Sequence, residues 1–108
     1  MQDRAATARI GDRVIAATTH AHVVEGNHYF PEEDVDLSVC SPSVVTTVCF
    51  WKGIARYRHI TIDGARIRNA AWTYPLPSPL AWPIRRMIAF DPGAGVTITP
   101  GADSDERR

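Results

Sequence analysis

A mainly β single domain of short antiparallel strands, with one or two short helical turns, is the fold class this sequence predicts. Three observations lead there. The run from Ile54 to Ile62 alternates side-chain character with period two, as a strand requires. Asp63-Gly64 then interrupts β-branched runs, the strongest short hairpin signal available to a sequence. Elsewhere, glycine- and proline-based turn pairs recur between short apolar runs.

The chain is 108 residues long, which leaves room for one hydrophobic core and not for two. Residues 1–9 mix small and polar groups without apolar periodicity and read as a flexible lead-in. Residues 10–100 then hold the domain, and residues 101–108 form a charged, flexible tail.

Taken in order, Arg13–Thr19 and His22–Glu25 read as two short strands, with Gly11-Asp12 before them and Gly26-Asn27 after. Pro31 followed by Glu32, Glu33 and Asp34 suits a helical turn, because proline is tolerated at the first helical position and acids favour that end. In the strand starting at Ile54, one face carries Ala55, Tyr57, His59 and Thr61 and the other carries Ile54, Arg56, Arg58, Ile60 and Ile62. The return strand is Ala65–Tyr74. The proline-rich stretch Pro75–Pro83 cannot sustain ladder hydrogen bonds and reads as a loop or lid. Ile84–Phe90 gives a short helical turn leading into a strand, Pro92–Gly95 turns the chain, and Val96–Thr99 is the last strand.

Twelve basic and twelve acidic residues cancel. A balanced chain gains no counterion-release free energy from a polyanion, so the expected partners include neither nucleic acid nor an anionic membrane surface. No apolar run has signal-peptide or membrane-span length, and the expected location is the cytoplasm. Cys40 and Cys49 lack CxxC spacing and a nearby histidine pair, so neither a metal site nor a cofactor is predicted. Reduced thiols are expected in that compartment.

The densest chemistry lies in Cys49-Phe50-Trp51-Lys52-Gly53. Together with Val24-Glu25-Gly26-Asn27-His28-Tyr29-Phe30-Pro31, Asp34-Val35, Thr47, Ala55, Tyr57, Ala71-Trp72, Tyr74-Pro75 and Ala89-Phe90, this stretch resembles a small bacterial family, domain of unknown function 427. The resemblance spans roughly residues 11–99. It implies a small β-rich domain similar to the β-tent (Mss4-like) group, and one scheme labels the family nucleotidyltransferase-like. The chain departs from the family where Phe50 follows Cys49, a position usually held by proline. Metal-bearing members of the wider fold group use paired CxxC motifs, which are absent from this sequence, so zinc is not carried over.

Lys52 and Cys49 are the candidate catalytic residues. Lys52 is the only lysine beside eleven arginines. Partial desolvation between aromatics would lower its pKa and suit anion binding or nucleophilic attack; alternatively its stem simply covers Trp51 at the surface. A cation nearby would favour the Cys49 thiolate, though free cysteines are also small core residues. Glu25 and His28 have the spacing of an acid–base pair across a turn, against a reading in which Glu25 meets an arginine. With Tyr29, Asp34, Tyr57 and Trp72 they complete the expected ligand-binding set. Asp34-Val35-Asp36 is the only arrangement suited to magnesium-assisted nucleotidyl transfer, and no glycine-rich phosphate loop accompanies it. The expected function is a small-molecule pocket, with a nucleotide or other anion as the candidate ligand; the alternative is a non-catalytic protein- or peptide-interaction module using the aromatic surface. The sequence gives no oligomeric state.

Overall fold

The computed structural model describes residues 4–101; the expectations for residues 1–3 and for most of the tail lie outside the described residues. The chain builds one antiparallel sheet from eight strands: β1 Arg4–Ile10, β2 Arg13–Val24, β3 Asn27–Phe30, β4 Cys40–Cys49, β5 Gly53–Ile62, β6 Ala65–Thr73, β7 Ile88–Phe90 and β8 Thr97–Pro100. Their order across the sheet is β4-β5-β6-β7-β3-β2-β1-β8. The mainly β fold class holds, and the helical turns are short 3-10 segments, among them Glu32–Asp34 after Pro31 as expected.

Strand parity divides the side chains between two apolar clusters. Ile15, Phe30, Ile60, Ala71, Ile88 and Phe90 belong to the larger one, with Phe30 and Phe90 meeting edge-on at 5.5 Å. Tyr29, Ala55, Tyr74 and Ala89 belong to the other, with Trp51, Tyr57 and Trp72 packed against it. Cross-strand pairs keep this sorting: Tyr29 opposes Ala89, which opposes Trp72, while Phe30 opposes Ile88, which opposes Thr73. Residues directly opposite in an antiparallel pair share a face.

β3 and β4 are strands that the sequence reading does not assign, and three further elements differ from it. The expected lead-in is β1 from residue 4 onward, paired with both β2 and β8, with Ala6, Thr7 and Ala8 buried. Alanines fit there because the strand is crowded from both sides, so no bulky apolar period announces it. The two strands expected over residues 13–25 are one, β2, with a register irregularity where the Thr18 hydroxyl accepts the His20 N–H at 3.0 Å. The proline-rich stretch is not a free loop: Pro79–Ile84 forms 3-10 turns, and Ala81 and Ile84 are buried against the aromatic cluster.

Candidate functional site

Two hairpin turns converge on the aromatic face. The β2–β3 turn is Glu25-Gly26, with φ of 55° and 81°, closing on the Val24–Asn27 pair. Positive φ at both corners is the twist-matched geometry for a two-residue hairpin. The β4–β5 turn consists of Phe50, Trp51 and Lys52 between the paired Cys49 and Gly53. Gly53 has φ of 117°, a conformation closed to side-chain-bearing residues, and its Cα face lies against Pro77. The turn is fastened from outside: the Ser78 N–H donates to the Lys52 carbonyl at 2.9 Å and the Ser78 hydroxyl to the Trp51 carbonyl at 2.5 Å.

Between these turns the Lys52 ammonium donates to the Glu25 carboxylate, which also accepts the Trp51 indole N–H at 3.2 Å. The asymmetry is pronounced, since the Lys52 side chain is 6% exposed and the Glu25 side chain 54%. The ammonium also lies 4.8 Å from the Trp51 ring centroid and 5.8 Å from that of Tyr74, within cation–π range.

Each charge tunes its neighbours. Hydrogen bonding from Lys52, then from Trp51, holds the Glu25 carboxyl below its ordinary value. Burial pulls Lys52 down, yet the hydrogen bonds to Glu25 and Cys49 outweigh it, so the amine sits above the ordinary lysine value. The lowered pKa expected from the sequence is therefore corrected: the counter-ion overrides desolvation. The charged form of Lys52 is thereby favoured. The Cys49 thiol is lowered, foremost by the Trp51 backbone N–H, with the Lys52 amide and ammonium adding to it against a desolvation penalty. Burial raises the Tyr29 phenol, and it pushes Tyr74 up to about 12. Both phenols stay protonated at neutral pH.

Of the expected site residues, Lys52, Cys49, Glu25, Tyr29, Tyr57 and Trp72 come together. The Trp72 indole donates to the Tyr29 hydroxyl at 3.1 Å, and the Tyr57 ring sits 6.1 Å from Trp72. Two residues go elsewhere. Strand alternation places His28, with Phe30, on the face of β3 opposite Tyr29 and the aromatic cluster. Asp34 instead accepts the Thr18 hydroxyl at 2.6 Å. Trp51 and Tyr74 are functional neighbours that the expected set omits. Trp51 stood inside the densest motif, but nothing local showed that its indole would reach back to Glu25. Cys40 and Cys49 are both free, at opposite ends of the ten-residue β4.

Among the described residues, no group of three or more His, Cys, Asp or Glu is placed to hold a metal ion, and no helix is long and apolar enough to cross a membrane. The arrangement offers a thiol held below its ordinary pKa, a buried cation among the groups that lower it and an exposed carboxylate that caps the cation.

The sequence matches, over residues 1–99, the family model described as Domain of unknown function (DUF427). The chain belongs to this family. No curated protein matches it.

Proposed function

We propose that this member of the DUF427 family is a small-molecule-binding domain whose anionic ligand docks at the Cys49–Gly53 turn and displaces Glu25 from Lys52. One observation carries the reading: the only lysine of the chain is 5% exposed, while its counter-ion is largely in solvent. Burying an ammonium costs several kcal/mol before pairing. A lysine serving a turn alone would extend into water at no such cost. An exposed carboxylate is a replaceable partner, and an incoming carboxylate or phosphate would find the cation already oriented. Cys49 beside it supplies a thiol, held below its ordinary pKa, for a ligand carrying an electrophilic centre.

The nucleotidyltransferase-like label gains no support from the acidic pair. Asp34 is engaged with Thr18, and Asp36 accepts from Ser38 and Arg13. Two free thiols fit a reducing compartment, and the cytoplasm is the proposed location.

The test is a thermal-shift screen of the wild type and Lys52→Met against nucleotides, sugar phosphates, small organic acids and divalent metals. Binding to the native state raises the melting temperature by mass action. An anionic hit in the wild type that disappears in Lys52→Met, with unchanged circular dichroism, is the expected result. A hit of equal size in both proteins removes Lys52 from the site.

A second reading, a peptide- or protein-interaction module, is favoured by the sheet edge. β4 is an edge strand, paired on one side by β5, that carries Val44, 98% exposed, and leads into Phe50, 97% exposed. Edge strands with apolar side chains are templates for strand addition. Silence across the ligand screen, with both proteins folded, moves the assignment there.

A further inference from the structure

The face of β5 and β6 opposite Lys52 carries a second set of unused groups. Arg56, Thr73 and Ile88 oppose one another across β5, β6 and β7, as do Arg58, Ala71 and Phe90. Arg58 and Thr73 line a recess of about 130 Å³, together with Glu32, Pro75 and Arg86. Thr73 is 5% exposed, and its buried hydroxyl has no hydrogen-bond partner among the described residues. Buried hydroxyls are almost always satisfied, so an orphan on a residue that lines a recess marks a place where an acceptor belongs.

Arg85 stacks its guanidinium 4.5 Å above the Trp82 ring, whereas neither Arg58 nor Arg86 makes an ion pair among the described residues. Arg86 adopts φ of 63°, and its N–H is tied to the Tyr74 carbonyl at 3.0 Å. A non-glycine residue held in the left-handed region is a mark of functional constraint when the surrounding structure enforces it.

This recess adjoins a larger cleft. Pro75 lines both, and Arg56, which lines the cleft, is the cross-strand partner of Thr73 in the recess. The cleft measures about 470 Å³ and is walled mainly by Ile54, Pro75, Leu76 and Pro77. That size is within the range of sites for small organic molecules. Two arginines and one glutamate leave the recess with a single net positive charge, which matches a carboxylate better than a doubly charged phosphate.

We infer that this face binds a small amphipathic monocarboxylic acid, its apolar body along Ile54 and Pro75–Pro77 and its carboxylate on Arg58, Arg86 and the Thr73 hydroxyl. The Thr73 hydroxyl donates to one carboxylate oxygen, and the guanidinium groups supply charge-assisted hydrogen bonds. The Lys52 side chain takes no part in this site: its ammonium meets Trp51 and Tyr74 on the aromatic face.

The test is calorimetric titration of the full chain with octanoate, octanol, acetate and octyl phosphate. Octanoate is expected to bind at least about tenfold more tightly than octanol or acetate. Arg86→Gly is the informative variant, because φ of 63° suits glycine and the backbone is retained. Thr73→Val removes the hydroxyl while keeping the shape. Each is expected to abolish the preference for octanoate over octanol, and Lys52→Met to leave it unchanged. Absent octanoate binding, equal affinity for octanoate and octanol, tighter binding of octyl phosphate than of octanoate by Lys52→Met, or loss of octanoate binding in Lys52→Met would each overturn the assignment.

Discussion

Glu25 reaches the Lys52 ammonium from a left-handed backbone position, φ 55°, at the first corner of the β2–β3 turn. The same chain shows the favoured alternative. At the β5–β6 turn, Asp63 and Gly64 take φ of 52° and 82°, and aspartate tolerates that conformation through its short side chain. Glutamate lacks that advantage, and holding it there costs on the order of 1 kcal/mol. Its long side chain is what spans the gap to Lys52 and Trp51. Turn stability and site geometry compete at this position, and the geometry prevails.

The reactivity of Cys49 depends on its neighbours. Alkylation by iodoacetamide, followed by peptide mass spectrometry across pH, is expected to show Cys49 reacting with an apparent pKa below the ordinary thiol value and Cys40 above it. Lys52→Met is expected to raise the Cys49 midpoint without restoring it fully, since the Trp51 amide is the larger influence. An unmoved midpoint would remove Lys52 from the thiol's surroundings.

Stability is expected to fall at both ends of the pH scale for separate reasons. Glu25 is held below 4.5, so its contribution is complete above that value and is lost as pH falls through the lower folded one. Urea unfolding of Glu25→Gln should show a flatter acid limb. Tyr74 is raised from 10 to about 12, so its contribution is complete below 10 and is lost as pH rises through about 12. Tyr74→Phe should flatten that alkaline limb, and phenolate absorbance follows the titration directly. Some alkaline slope will persist because Lys52 is raised too.

Ser78→Ala removes the hydroxyl that fastens the proline-rich segment to the Trp51 carbonyl. The expected loss is about 1 kcal/mol in urea unfolding, the usual net value of one such hydrogen bond. Hydrogen exchange should rise locally, at the Ser78 amide that donates to Lys52, before it rises in the sheet.

Much of the fold was legible because local signals agreed with the tertiary outcome. Asp63-Gly64 specified its hairpin, and the alternation from Ile54 correctly separated Tyr57 from Arg56 and Arg58. β1 and β4 were hidden for opposite reasons: β1 buries alanines with no apolar bulk, and β4 carries Pro42 and Ser43 beside a register shift against β5. The site divided in the same way. Cys49 and Lys52 are close in sequence and could be read together, and Glu25 was read from its spacing to His28 across a turn. His28 and Tyr29 looked like one constellation because adjacency in sequence conceals the strand pleat, which sends them to opposite faces. The left-handed Arg86 and the orphaned Thr73 hydroxyl are properties of tertiary placement, with no local signature at all.

Ser78 also joins two things that strand parity separates. It lines the apolar cleft, and it grips the backbone that carries Trp51 and Lys52. The wall of one compartment and the floor of the other are thus a single mechanical element. Thermodynamic linkage then imposes symmetry on whatever cooperativity results: the factor by which a guest in the cleft changes affinity at Lys52 equals the factor by which a guest at Lys52 changes affinity in the cleft. Ser78→Ala, by releasing the shared segment, would bring that factor towards one.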